Sequence, residues 1–173
     1  MKDLKKKLEA RFGSSDLLLS PNMHYGNIYY DPEALDRLRI TPSEVSAFIR
    51  EWAFSTGNYQ AVFTRQQLLD GSATSHIGRK VANGYNAERS GDIVLVMKPY
   101  MIASTSKTGT THGSPYGYDT HAPVIFYGAP FRPGRYADEF YVSDIVSMLC
   151  VALRMELPSG NIGEPVLKAF RSH

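Results

Sequence analysis

The sequence predicts an α/β domain in which layered helices surround a mixed, largely buried sheet. One observation is the continuous β-branched run Ile93–Met97, which is bounded by turns and is typical of a central strand covered on both faces. A second is the alternation of strand-like runs with segments of helical periodicity along the whole chain. The chain has 173 residues and 43% hydrophobic content, which is enough to bury a core without staples. We therefore expect a single domain over residues 1–173.

Caps and apolar periodicity predict the helices. A narrow apolar stripe runs through residues 2–12, and Thr41 and Glu44 form a capping box before the most regular helical pattern in the chain. Further helices are predicted after Asp31, from about Ser75, and after Ser143. The apolar face of the last helix is predicted to consist of Ile145, Met148, Leu149, Ala152 and Leu153.

Besides the central run, apolar patterns predict four further strands. Tyr59–Thr64 alternates in the manner of a strand with one drier face. Leu17–Leu19 and Asn27–Tyr30 are short apolar runs that suit short strands. Val124–Tyr127 is predicted to be a second buried strand.

Composition and charge exclude several functional classes. The formal net charge of +2 is made of mixed charges, so neither a nucleic-acid partner nor a membrane surface is expected. The cluster Lys5, Lys6 and Lys7 is interpreted as a solvated helix face. The single cysteine, Cys150, excludes an internal disulfide and a multi-cysteine zinc site, and its apolar neighbours predict a buried thiol. These residues contain no apolar run of the roughly eighteen residues a membrane span needs, and we expect no signal peptide among them.

The richest chemistry lies between Thr110 and Gly128. His112 and His121 flank a turn-rich segment of small and aromatic residues, which predicts a polar site loop leading into a strand. A histidine followed by glycine suits metal ligation, because imidazole binds zinc and glycine lets the backbone approach closely. The nine-residue separation of the two histidines matches no common metal-pair spacing. A loop histidine that only forms hydrogen bonds therefore remains the alternative.

Several segments together resemble one enzyme family. Arg89–Val96, Thr111–Tyr116 and Tyr118–Gly128 are similar to the C-terminal third of the alkaline phosphatase superfamily. The nearest branch is that of bacterial exported phosphate-irrepressible phosphatases, with nucleotide pyrophosphatase/phosphodiesterases as more distant relatives. Val142–Ile145 and Pro158–Gly160 resemble the closing helix and loop of that family, so the resemblance extends from about residue 15 to the end. It implies a C-terminal fragment of an alkaline-phosphatase-like fold.

The resemblance also implies roles for individual residues. His112 falls on a histidine that is a ligand to one of two catalytic zinc ions in the family, and Asp119, His121 and Tyr116 fall on the loop beside it. They would support that ligand or face the substrate. The family hydrolyses phosphate monoesters or diesters through a threonine or serine nucleophile that zinc activates. Its members imply a periplasmic or extracellular location.

The departures from the family limit what this chain can do alone. The sequence has no counterpart of the nucleophile segment and contains no Asp-His pair, which supplies metal ligands in the family. A single histidine does not hold zinc tightly, so we expect no catalytic residue, no tightly bound metal and no turnover from this chain by itself. The expected partners are the upstream part of a parent enzyme and its phosphate ester substrate. The alternatives are a non-catalytic ligand- or protein-binding module, and self-association through an exposed sheet edge.

Overall fold

The computed structural model describes residues 2–19, 26–104 and 108–171. These residues form two compact units, Met1–Ala122 and Pro123–His173, and each unit is described by itself. The single domain over residues 1–173 stays a prediction. Two of the histidines, His24 and His173, lie outside the described residues.

The first unit contains helices α1 to α6 and strands β1 to β3. Their bounds are α1 Lys2–Phe12, β1 Asn27–Ile28, α2 Pro32–Leu38, α3 Pro42–Ser55, β2 Tyr59–Thr64, α4 Arg65–Leu69, α5 His76–Asn83, β3 Ile93–Met97 and α6 Gly117–Thr120. The predicted caps are confirmed: Asp31 accepts from the Ala34 amide, Thr41 and Glu44 form the capping box, and Ser75 accepts from the Gly78 amide. No helix in the described residues is long and apolar enough to cross a bilayer.

The three strands form a sheet in the order β1-β3-β2, so the predicted central strand does lie in the middle. The α/β class is confirmed, although both pairings in this small sheet are antiparallel rather than mixed. Alternate residues of β3 point into two separate apolar clusters. Ile93 and Leu95 pack with α1 and α3 side chains, whereas Val94 and Val96 pack with Leu68 and the apolar side chains of α5. Helices therefore cover both faces of β3, as its unbroken apolar sequence predicts.

Two predicted strands are shorter than expected. Leu17–Leu19 makes only an isolated bridge between Leu18 and Tyr30, and Asn27–Tyr30 contributes only β1. Helix α4 was not predicted, although a signal was present in the sequence. Thr64 and Gln67 form a second capping box, with the Thr64 hydroxyl accepting from the Gln67 amide at 3.2 Å.

The second unit is built around α7, Asp144–Leu153, and a short 3-10 helix, Leu167–Ala169. Buried Asp144 accepts from the amides of Tyr141 at 2.7 Å and Glu164 at 2.9 Å. Ser147, fully buried, donates from its hydroxyl to the Gly163 carbonyl at 2.7 Å. These bonds hold the chain after α7 against one side of the helix. Cys150 is buried on this unit, as predicted.

Three details of this unit differ from the prediction. Val124–Tyr127 forms no strand and lies open, with Ile125 85% and Tyr127 100% exposed. An apolar run becomes a buried strand only where a neighbouring strand and covering layers receive it, and nothing in the described residues pairs with this one. Ser143 makes no side-chain cap; Asp144, the first residue of α7, instead accepts from the amide of Tyr141 upstream of the helix. The predicted apolar face is only partly correct, because Met148 is buried whereas Leu149 and Leu153 are exposed.

Candidate functional site

Tyr116 anchors the candidate site loop to the sheet. Its ring packs on the apolar cluster of Val94 and Val96, and its hydroxyl donates to the Met97 carbonyl at the end of β3, at 2.6 Å. Burial, followed by the nearby Tyr118 hydroxyl, raises the pKa of Tyr116, so the phenol stays protonated as the donor. The loop thus has one fixed point beside the carboxyl end of the central strand.

Lys80 supplies a second fixed point from α5. Its ammonium donates to the Pro115 carbonyl at 2.9 Å and to the Thr120 hydroxyl at 3.2 Å. Pro115 lies just before α6 and Thr120 is its last residue, so the single side chain bridges both ends of that short helix. Lys80 and Tyr116 together define the position of residues 114–121.

Asp119 is held as an anion at the centre of this turn. It accepts from the Ser114 amide at 2.8 Å. The Ser114 side chain and amide, and then the charge of His112, lower the pKa of the Asp119 carboxyl. The buried Ser114 hydroxyl has no hydrogen-bond partner of good geometry in the described residues, so the bond from the Ser114 amide is the contact that the structure shows.

The two predicted histidines occupy different places on the loop. His112 is exposed and lies near enough to Asp119 to help lower the pKa of that carboxyl. Gly113 takes a φ of 95°, a left-handed conformation that favours glycine and turns the chain directly after His112. His121 is also exposed, and its amide donates to the Gly117 carbonyl at 2.9 Å, which ends α6. The loop therefore brings His112 and Asp119 together while His121 closes the helix.

A set of stacked tyrosines beside the loop was not predicted. Tyr118 stacks on Tyr100 with ring centroids 4.7 Å apart and on Tyr116 with centroids 5.7 Å apart. The Tyr100 amide donates to the Tyr118 hydroxyl at 3.0 Å. The stack could not be predicted from spacing, because Tyr100 comes eighteen positions before Tyr118 and its approach needs the folded chain. The stack offers exposed aromatic surface on the loop that also carries His112 and Asp119.

The chemistry of the loop suits part of a metal site. Imidazole and carboxylate are both zinc ligands, and His112 is open to a partner. Within the described ranges, however, no group of three or more His, Cys, Asp or Glu side chains is placed to hold a metal ion. The donor set fits a contribution to a site that other residues complete.

Several of the comparisons with known proteins point to alkaline phosphatases. The chain is 28% identical over 169 residues to alkaline phosphatase PafA of Elizabethkingia meningoseptica, covering 98% of this chain and 31% of that protein. The crystal structure of wild-type PafA superposes with a TM-score of 0.86 at 27% identity, over 98% of this chain and 32% of that one. The chain belongs to the alkaline phosphatase superfamily and corresponds to its C-terminal portion. No protein-family profile matches it.

The same relation holds for further relatives of this alkaline phosphatase-like chain. A protein named calcium-transporting ATPase from Myroides odoratus is 31% identical over 170 residues. The match covers 98% of this chain and 31% of that protein. Alkaline phosphatase PhoV of Synechococcus elongatus is 38% identical over 90 residues. The chain therefore spans about a third of the length of the first two relatives. The match confirms the predicted family and the predicted fragment of its fold.

Removal of the Lys80 ammonium tests the anchoring of this alkaline phosphatase-like loop. Lys80→Met keeps the aliphatic stem but loses both hydrogen bonds, so we expect residues 114–121 to open more readily by about 1–2 kcal/mol. Amide hydrogen exchange of these residues measures the change. Lys98→Met, at an exposed lysine after β3, is the control and should leave their exchange unchanged. Equal protection in both variants would show that Tyr116 alone fixes the loop.

The pH dependence of the loop follows from Asp119. Because the folded pKa of this carboxyl is lowered, its bond to the Ser114 amide stabilises the turn above the ordinary aspartate pKa of about 3.9. That stabilisation is lost as the pH falls through the lower folded value. NMR titration of the Asp119 carboxyl carbon should give a midpoint below the ordinary value, and Asp119→Asn should remove the corresponding shift of the Ser114 amide. A midpoint at or above the ordinary value would contradict the geometry of the turn.

Proposed function

We propose that this chain is the C-terminal portion of a zinc-dependent hydrolase of phosphate monoesters or diesters. In this proposal it supplies His112 as one metal ligand and does not turn over substrate by itself. The observation that carries the proposal is the match of 98% of the chain to a third of an alkaline phosphatase structure. The proposal is also supported by His112, whose imidazole can ligate a metal and is exposed on an anchored loop.

The residues of the loop have distinct parts in this proposal. His112 would hold the metal as a neutral imidazole, and the negative charge of Asp119 nearby would favour the bound dication. Tyr116 would hold the loop in place and not meet the substrate, because its hydroxyl is engaged by Met97. His121 remains the residue of this set free to face a phosphate ester. Zinc, when bound, supplies Lewis-acid polarisation of phosphoryl oxygens.

The proposal that the isolated chain is inactive is supported by the size of the donor set. A catalytic zinc needs about three protein ligands, and the described residues gather no such group. The nucleophile and the other ligands would come from the remaining two thirds of the enzyme. The periplasmic or extracellular location implied by the family belongs to this same proposal.

The test combines metal content with turnover. The purified chain is dialysed against micromolar zinc, its bound zinc is measured by mass spectrometry, and it is assayed with an aryl phosphate monoester and an aryl phosphate diester. We expect less than about 0.1 zinc per chain, because a single imidazole holds zinc weakly, and no turnover above that of a His112→Ala variant. Tightly bound zinc with turnover of either ester would refute the inactivity and would name the preferred ester.

The tyrosine stack favours a second candidate, a non-catalytic binding module. Two rings of the anchored loop, Tyr116 and Tyr118, stack with Tyr100 and give aromatic surface of the kind that binds ligands or protein partners. This candidate predicts that Tyr118→Ala abolishes binding of a ligand that His112→Ala leaves intact. The hydrolase proposal predicts instead that His112→Ala weakens zinc binding and that Tyr118→Ala leaves it intact. The two variants therefore distinguish the two candidates.

A further inference from the structure

We propose that the exposed apolar side of α7 is a docking surface for the complementary two thirds of an alkaline phosphatase-like fold. The α7 stripe consists of Val142, Val146, Leu149 and Leu153. The proposal rests on the part of the proposed function that makes this chain a portion of a larger enzyme. It does not depend on zinc.

The spacing of the stripe puts its side chains on one line. Positions 142, 146, 149 and 153 are separated by four, three and four residues, which is the repeat of one helical face. Val142, just before the helix, is 84% exposed and Leu153 is 65% exposed, with Val146 and Leu149 between them also exposed. Val146, Leu149 and Leu153 therefore form an outward-facing apolar line of about two helical turns, and Val142 precedes it.

The other side of α7 is already occupied. Asp144, Ser147 and Met148 are buried against the chain that follows the helix, through bonds to Glu164, Gly163 and Val166. Within α7 itself, Asp144 is the one charged residue, and it points into this buried side. A helix that is apolar all round lies in the interior of a larger body. The sequence of α7 thus suits burial on both sides, and the unit covers one of them.

The length of the relatives identifies what covers the other side. Nearly all of this chain, 98%, superposes on an alkaline phosphatase structure of which it is 32%, so two thirds of that fold lie outside the residues matched here. Val124–Tyr127, in the same unit, is a second apolar run that has no strand partner among the described residues and remains exposed. Both apolar surfaces of this unit are exposed, and the relatives of the chain are about three times longer than the chain. The remainder of the fold is therefore the occupant that would cover both. A second copy of this chain or a lipid surface are the competing occupants.

The experiment co-expresses the tagged chain with the complementary two thirds of PafA from Elizabethkingia meningoseptica and measures the complement recovered in the soluble fraction. Leu149→Glu/Leu153→Lys charges the stripe while keeping good helix formers in a favourable i,i+4 pair. Leu69→Glu, at an exposed leucine of α4, is the matched control. Circular dichroism checks that each variant keeps the helix content of the wild type.

We expect the wild-type chain to recover the complement, the Leu69→Glu control to match it, and the stripe variant to recover at least about tenfold less, as for loss of central interface anchors. Equal recovery by the stripe variant, or none by the wild type, would overturn the proposal. Concentration-dependent dimers that the stripe variant abolishes would assign the surface to a second copy. Binding to neutral phosphatidylcholine vesicles that the variant abolishes would assign it to lipid, and either result overturns the proposal. Recovery of a complex without zinc or turnover would leave docking intact and refute the hydrolase function.

Discussion

His112→Ala is expected to lower phosphatase turnover by at least about 100-fold in a completed enzyme, because loss even of a group supporting a metal ligand costs about 10–100-fold. The measurement uses a chimera in which this chain replaces the matching third of PafA, assayed with an aryl phosphate. The zinc content of the variant should fall together with its turnover. The exposed place of His112 on the loop makes a direct packing loss small.

A matched histidine separates the metal role from a general effect of the substitution. His76 is also exposed and lies at the start of α5, so His76→Ala should keep turnover and zinc content near those of the unaltered chimera. A zinc titration of the isolated chain followed by NMR tests the same role without turnover, since the His112 ring signals should shift before those of His76 and His121. Unchanged activity in His112→Ala would remove this residue from the metal site.

Asp144→Ala is expected to give the largest loss of stability in the second unit. The buried carboxylate accepts from two amides, those of Tyr141 and Glu164, and its removal leaves both without their partner. Hydrogen bonds to a charged acceptor contribute about 1.5–3 kcal/mol each, so we expect a loss of about 3 kcal/mol or more. Hydrogen exchange of the α7 amides measures the free energy of opening.

Asp144→Asn is the matched control for this substitution. Its amide oxygen keeps one acceptor in the same place, so the expected loss is about half that of the alanine variant. The exchange of β3 amides, in the first unit, reports whether either change spreads beyond the unit that contains it. Equal losses for both variants would show that the charge, and not the number of acceptors, stabilises the start of α7.

Much of the first unit could be predicted because its signals are local. The Thr41 capping box, the Asp31 and Ser75 caps and the unbroken run of β3 each specify a structure within a few residues. The apolar run of β3 is buried as predicted, because helices on both sides of the strand supply the covering layers. The missed helix α4 carried a capping box of the same kind, so its signal was present and only its short length hid it.

The second unit was predicted less well, for a reason that lies in what an apolar pattern can specify. Such a pattern records that side chains favour burial, but not which part of a protein buries them. Val124–Tyr127 and the Leu149–Leu153 side of α7 have strongly apolar sequences and yet are exposed. Of the candidate site, the loop and the places of His112 and Asp119 on it were predictable. The Lys80 bridge and the Tyr100 stack depend on distant residues meeting, which spacing alone does not reveal.

The buried thiol of Cys150 can report local opening of the second unit. This is the one thiol in the chain, and it is 7% exposed on α7. A maleimide can reach its sulfur only when the segment around the helix swings away, so the labelling rate under native conditions counts how often that excursion occurs. The labelling rate of Cys150 therefore reports how often the second unit opens locally, and no additional cysteine has to be introduced to measure it.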